Sequence, residues 1–384
     1  MREIYLDNSA TTMVIPEAAE AMVEACCVKY GNPSSLHGKG IEAEKIIKET
    51  RERIAEFLNC SPDEIFFTSG GTEANNWALF KAAEKLKRFG KHIITTSIEH
   101  SSVLEPVKEL ERRGFEVSYL SPSKDGIISL EDLKKELRPD TILVSIMHAN
   151  NETGSVQPIY EAAEIIKNSS DKALFHVDAV QSFGKININL KKEKGIDFLS
   201  VSAHKIHGPK GIGALFIRKG INISPYVYGG DQEGKMRAGT ENVPGIAGFG
   251  AALKALKNNV EDHQKKIKGL KERFISGIKA GIQDVVINGP LDERALPNIV
   301  NVSVLGVKGE VLVHYLEQWG IYISTGSACH SRGGSVSHVL KAMGLKKEAL
   351  ESAVRVSFSA FNTEEEVDFA VEKFKEAAEE LRDL

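Results

Sequence analysis

No apolar run in the 384 residues approaches the ~18 that a membrane span needs, and the opening Arg2-Glu3-Ile4-Tyr5-Leu6-Asp7 has no signal-peptide pattern. A cytoplasmic protein is the expectation. Cysteine is scarce as well. Cys26, Cys27, Cys60 and Cys329 form no Cys-x-x-Cys pair and suggest no disulfide framework, so any special cysteine acts as a single thiol. Nor is there an excess of one charge: 49 Lys and Arg against 53 Asp and Glu leave −4, which gives no electrostatic reason to expect nucleic acid or an anionic membrane as partner. His204 and His207 lie close together, but no HExxH motif or neighbouring cysteine completes a ligand set, and no metal site is expected.

What is present is a chain 42% hydrophobic and longer than the ~250–300 residues at which single cores usually split, so two domains are expected. A short strand at Ile4 to Leu6 and a helix opened by Pro16 lead into a long amphipathic helix over 40–59, with Ala43, Ile47, Thr50, Ile54, Phe57 and Leu58 on one face. On the first of these helices Cys26 and Cys27 read as core residues, and Cys60 reads as inert. Strands are then expected at 64–68, 92–98, 116–120, 141–147, 173–177, 198–202 and 213–217, and helices at 73–88, 103–113 and 160–167. This alternation implies an α/β fold whose mostly parallel sheet is covered by helices on both faces and gathers ligands at its carboxyl edge. Beyond it, 229–250 is glycine-rich and turn-like and 251–277 helical, which places a domain boundary near residue 255. Later strands and helices, such as 299–304 and 310–320, follow, and a Thr363/Glu366 capping box opens a last helix with Val367, Ala370, Phe374, Ala378 and Leu381 on its apolar face.

Chemistry-bearing residues collect where that edge should be. Thr68-Ser69-Gly70-Gly71-Thr72-Glu73 joins a strand to a helix N-terminus through two glycines and two hydroxyls, a backbone cup suited to phosphate. His100, Asn151, Asp178 and Gln181 stand at or just after other strand ends, and Lys205 follows the run Phe198 to Ser202 directly. A lysine, an aspartate, an imidazole, amides and a phosphate cup meet the needs of pyridoxal 5′-phosphate: an amine for its aldehyde, a carboxylate for its ring nitrogen and an anchor for its phosphate.

The motifs Tyr5-Leu6-Asp7-Asn8-Ser9-Ala10-Thr11-Thr12, Gly31-Asn32-Pro33-Ser34-Ser35, Thr68 to Asn76, Asn150-Asn151-Glu152-Thr153-Gly154 and Ser202-Ala203-His204-Lys205, in this order, closely resemble the NifS/IscS-type cysteine desulfurases. Those are class V aminotransferases of the fold-type I pyridoxal-phosphate group. The resemblance implies a large cofactor domain over 15–255 and a small α/β domain from 1–14 and 256–384 that carries the cysteine loop and the substrate-carboxylate arginine. It also implies site roles: Lys205 bonds the cofactor, His100 stacks on its ring and moves protons, and Asp178 pairs with the ring nitrogen. Asn151 and Gln181 bond the ring oxygen, with Asn151 also near the substrate, and Gly71, Thr72, Ser202 and His204 hold the phosphate. Thr240 corresponds to a residue that reaches the phosphate of a neighbouring subunit, which implies a homodimer. Arg355 matches the fork for the substrate carboxylate. Cys329, set among glycine and serine in Ser324 to Ser335, matches the catalytic cysteine, and His330 or Arg332 could favour its thiolate.

The function implied is conversion of L-cysteine to L-alanine, with sulfur passed through a Cys329 persulfide to an iron–sulfur scaffold or sulfur-carrier protein. Selenocysteine lyase, another class V enzyme, and a binding protein that keeps the fold as a sulfur relay are the alternatives. Two departures from the resemblance stand out: Gly334-Ser335-Val336-Ser337 replaces the usual Leu-Glu-Pro-Ser, and Gln232-Glu233-Gly234-Lys235 replaces Gln-Glu-Arg-Gly.

Overall fold

A computed structural model describes residues 3–326 and 336–382. In chain order the first part consists of β1 (Ile4–Tyr5), α1 (Pro16–Cys27), α2 (Gly38–Leu58), β2 (Ile65–Thr68), α3 (Gly71–Leu86), β3 (His92–Thr96), α4 (Ser101–Arg112) and β4 (Glu116–Leu120). It continues with α5 (Leu130–Glu136), β5 (Thr141–Met147), α6 (Ile159–Ser169), β6 (Leu174–Asp178), β7 (Phe198–Ser202) and β8 (Gly213–Ile217). Seven of these strands form one sheet in the order β2-β8-β7-β6-β5-β3-β4. β7, β6, β5, β3 and β4 are parallel, and β8 runs antiparallel to both β7 and β2.

The alternation of side chains along each strand sorts the core into two layers. Ile93, Leu143, Phe198 and Leu215 pack against α3 and α4, whereas Ile94, Val144, Leu199 and Phe216 pack against α2, α6 and the later α7 (Val243–Lys257). On α2, Ala43, Ile47, Thr50, Ile54 and Leu58 are buried as their spacing predicts, Phe57 packs from the rim, and Asn59 ends the helix in the left-handed region.

Two expectations need correction. Residues 243–250 are helical, not turn-like, because these glycines serve close packing: a Cβ on Gly248 would meet Met22 at 2.8 Å, and one on Gly250 would meet Thr50 at 2.3 Å. Cys26 and Cys27 are exposed. It is Ala18 and Ala25 of α1 that face inward, and the cysteines fall on the outer side of its last turn. Cys60 is partly buried, and burial pushes its thiol up to about 12, which keeps it protonated.

A second core is built from α8 (Val260–Gly281), β9 (Val285–Asn288), β10 (Ile299–Val304), α9 (Gly309–Glu317), β11 (Ile321–Tyr322), α10 (His338–Ala342), α11 (Lys347–Glu351), β12 (Ala353–Ser357) and α12 (Glu364–Arg382). Its antiparallel sheet has the order β12-β10-β9, and β11 pairs in parallel with β1. Ile4 and Leu6 therefore pack with Val302, Val354 and Phe374. The Thr363/Glu366 box is formed, each backbone N–H meeting the other residue's side-chain oxygen at 3.2 Å.

Candidate active site

Lys205 sits in the single turn that follows β7. Its Nζ donates to the carbonyls of Ser9 (2.6 Å) and Ala10 (2.7 Å). Those carbonyls belong to the turn after β1, which is pinned to β12: Ser9 N–H donates to Ser357 Oγ at 2.8 Å and Asn8 Nδ2 to Ser357 O at 3.0 Å. Burial brings the Lys205 amine down to about 7; the Arg355 and Lys185 charges act the same way, against Asp7 and Asp178. A neutral amine has two N–H groups for the two carbonyls and keeps its lone pair for attack on a carbonyl carbon.

Asp178 closes β6 and is buried. Its Oδ2 accepts from Asn75 Nδ2 at 2.7 Å and its Oδ1 from Val180 N–H at 3.0 Å. Asn75 Nδ2 also donates to Ser102 Oγ (2.9 Å), which lies 2.8 Å from His100 Nδ1. Because the Ser102 backbone N–H also donates to that nitrogen at 3.2 Å, Nδ1 is an acceptor and the neutral ring carries its proton on Nε2. One hydrogen-bonded chain thus orients both the carboxylate and the imidazole.

At the other end of the cavity, α3 begins at Gly71, and its first N–H groups have no partner within the helix. A Cβ on Gly71 would stand 2.6 Å from Val180 Cγ2, so the backbone there tolerates no side chain. Burial favours protonation of Glu73, but bonds from Arg237 (2.9 Å) and Ser69 N–H (3.0 Å) outweigh it and hold the carboxylate low. His204 Nδ1 lies 3.2 Å from Thr11 Oγ1, and burial, with the Lys205 charge second, lowers it to about 3. A neutral imidazole could meet an anion only as an N–H donor.

Arg355, on β12, is 2% exposed. Its Nη1 donates to Asn151 O at 2.9 Å and its Nη2 to Asp7 Oδ1 at 2.7 Å, while Nε has no partner among the described residues. Ten of the twelve residues predicted from sequence line one cavity of about 260 Å³: Gly71, Thr72, His100, Asn151, Asp178, Gln181, Ser202, His204, Lys205 and Arg355. The other two are elsewhere. Thr240 is exposed in a separate depression beside Ser69 and Asn242. Cys329 lies outside the described residues, as do His330 and Arg332. Five positions before Cys329 in the sequence, Ser324 pairs with Arg355 through backbone bonds of 2.6 and 3.2 Å.

The cavity fits a phosphorylated pyridine aldehyde on its own chemistry. It offers an amine near neutrality, a buried carboxylate, an imidazole and a glycine-lined helix N-terminus. Buried polar atoms there also await partners, among them Gln181 Oε1 and Arg355 Nε. Sequence reasoning gave no role to Asp7, Asn75 or Ser102. A buried arginine needs a counter-charge, which was a usable signal for Asp7; the amide and hydroxyl emerge only when α3 and α4 come together.

A sequence profile of the aminotransferase class-V family matches residues 4–369. Cysteine desulfurase IscS of Clostridium botulinum is 44% identical over 384 residues, all of this chain and 96% of the relative, and its counterpart in Proteus mirabilis is 46% identical over 99% of this chain and 94% of the relative. Among solved structures, a NifS-like protein superposes with a TM-score of 0.92 at 42% identity, covering 98% of this chain and 100% of the other. SspA in complex with cysteine gives 0.81 at 34% identity, over 94% and 100%.

Proposed function

The chain belongs to the aminotransferase class-V family and is a pyridoxal-phosphate-dependent cysteine desulfurase, and we propose that Lys205, Arg355 and Cys329 divide its reaction between them. The observation that carries this division is the single cavity in which a near-neutral, buried lysine faces an aspartate and an arginine. The cofactor, when bound, supplies an electron sink for the substrate's α-carbon.

Arg355 holds the carboxylate of L-cysteine, with Asp7 fixing the guanidinium. Lys205 Nζ takes the α-proton and returns a proton to the product. Asp178, oriented by Asn75, keeps the cofactor's ring nitrogen protonated, and Asn151 and Gln181 supply amides to the ring oxygen. His100 would lie against the cofactor ring and move protons there. Gly71, Thr72, Ser202 and neutral His204 bind the phosphate.

The Cys329 thiolate attacks the substrate sulfur. A sulfur–sulfur bond forms, the carbon–sulfur bond breaks, and its electron pair stays on carbon, which takes up a proton to become the methyl group of alanine. Sulfur leaves Cys329 for an iron–sulfur scaffold or a sulfur-carrier protein.

The active form is a homodimer. Met13, Val23, Val28, Tyr30, Leu36 and Ile41 are exposed along one stretch of sequence, and Thr240 faces outward as a residue serving a second copy would. Cys26, Cys27 and Cys60 are free thiols, which supports a cytoplasmic setting; among the described residues no helix is long and apolar enough to cross a membrane. Alanine release from L-cysteine tests the assignment. Cys329→Ser should abolish it, and full-rate release by that variant would remove Cys329 from the mechanism.

A further inference from the structure

The turn after β5 holds an acidic residue that the reaction above does not use. Glu152 has no exposed surface. Its N–H donates to Asn150 Oδ1 at 2.9 Å, its carbonyl accepts from Asn301 Nδ2 at 3.4 Å, and the carbonyl of the preceding Asn151 accepts from Arg355. The carboxyl group lies beside described residues on both sides of segment 327–335. On the C-terminal side the Ser337 hydroxyl donates to Oε2 while accepting the Leu340 N–H at 3.1 Å as the cap of α10. On the N-terminal side Gly326, at φ 126°, passes so close that a Cβ there would lie 2.9 Å from the same Oε2. Ser324, bonded to Gly326 O at 3.2 Å, connects that border to Arg355. Oε1 is buried without a partner among the described residues. Burying a carboxylate is costly, and a neutral side chain of similar size would pack as well. A buried acidic side chain at this place therefore calls for a role.

We propose that Glu152 is a positioning residue for sulfur transfer: by accepting from Ser337 close beside Gly326, it fixes described residues on either side of the stretch in which Cys329 stands in the sequence. This rests on the reading of Cys329 as the sulfur acceptor. A fixed chain neighbour lowers the entropy that a thiol gives up on approaching the substrate sulfur and so raises its effective concentration there. Glu152 makes and breaks no bond itself.

The test uses the holoenzyme with Glu152→Ala, Glu152→Gln and Ser337→Ala. Two steps are read separately: exchange of the α-proton of L-alanine with deuterated solvent, which needs Lys205 but not Cys329, and single-turnover appearance of persulfide on Cys329 from L-cysteine. Losing the buried Glu152–Ser337 hydrogen bond should slow persulfide formation about 10-fold or more in Glu152→Ala and Ser337→Ala, with exchange within about 2-fold of the parent. Glu152→Gln, which keeps an oxygen acceptor for Ser337, should recover most of that loss. Persulfide formation within about 3-fold of the parent in both Glu152→Ala and Ser337→Ala, or an equal loss of exchange and transfer, would overturn the proposal. If Glu152→Ala does not fold, Ser337→Ala alone decides by the same criteria. A parent protein that forms neither alanine nor persulfide would instead defeat the functional reading on which the proposal stands.

Discussion

The carboxyl edge of the seven-stranded sheet and the three-stranded sheet beside it contribute to one cavity in different ways. From the large sheet come Lys205, Asp178, His100 and the glycine cup, each placed by a strand end or a helix start and each assigned to the cofactor in the proposed reading. From the smaller sheet comes Arg355, and just beyond its partner Ser324 in the sequence comes Cys329; both are assigned to the substrate in the proposed reading. The division separates chemistry common to many enzymes of this cofactor from chemistry that selects a sulfur amino acid. Variants of the first group should damage every reaction of the enzyme, and variants of the second should damage sulfur transfer most.

Lys205→Ala tests the first half most severely. Both α-proton exchange with L-alanine and alanine release from L-cysteine should fall about 10³-fold. A variant that lost one and kept the other would break the division. Arg355→Lys addresses the second half: the ammonium cannot reproduce the planar fork held between Asp7 and Asn151. Its kcat/KM for L-cysteine should drop about 10–100-fold, chiefly through KM, while cofactor absorbance is retained.

These two positions also differ in how legible they were. The strands at 116–120, 141–147, 198–202 and 213–217 have the bounds that their apolar runs predict, and so the edge on which Lys205 and Asp178 stand was readable as local pattern. β9 and β12 were not read as strands in the sequence, so Arg355 was recognised from its motif and not from its strand. Residues whose roles depend on distant partners were the least legible. Asn75 orients Asp178 across 103 positions of sequence, Asp7 meets Arg355 across 348, and Glu152 meets Ser337 across 185. The helical glycines of α7 misled for a related reason, since a glycine required by a neighbouring helix looks in sequence like one required by a turn.

Smaller effects sharpen the account of the large sheet. Asn75→Ala removes one donor from Asp178 and part of the chain to His100, so cofactor affinity should weaken about 5–10-fold, read by titration of the absorbance, with KM for L-cysteine little changed. Glu99 is buried beside Met147. Burial raises its carboxyl to about 8, and the Asp178 charge adds to this against bonds from Met147 N–H and Thr96. Between its ordinary 4.5 and about 8 the folded chain keeps a proton that the unfolded chain has lost, so this group's contribution to stability falls as pH rises through that window. Glu99→Gln lacks the titration. Its Tm relative to the parent should rise across the same window, and a flat difference would show that Glu99 is ionised in the fold.

The central claim, that Cys329 makes this cofactor site a desulfurase, is tested most directly by a single turnover with sulfur-labelled L-cysteine followed by mass analysis of the Cys329 peptide. The account predicts one labelled sulfur atom on Cys329 for each alanine formed. Stoichiometric alanine with no label on that residue would contradict it.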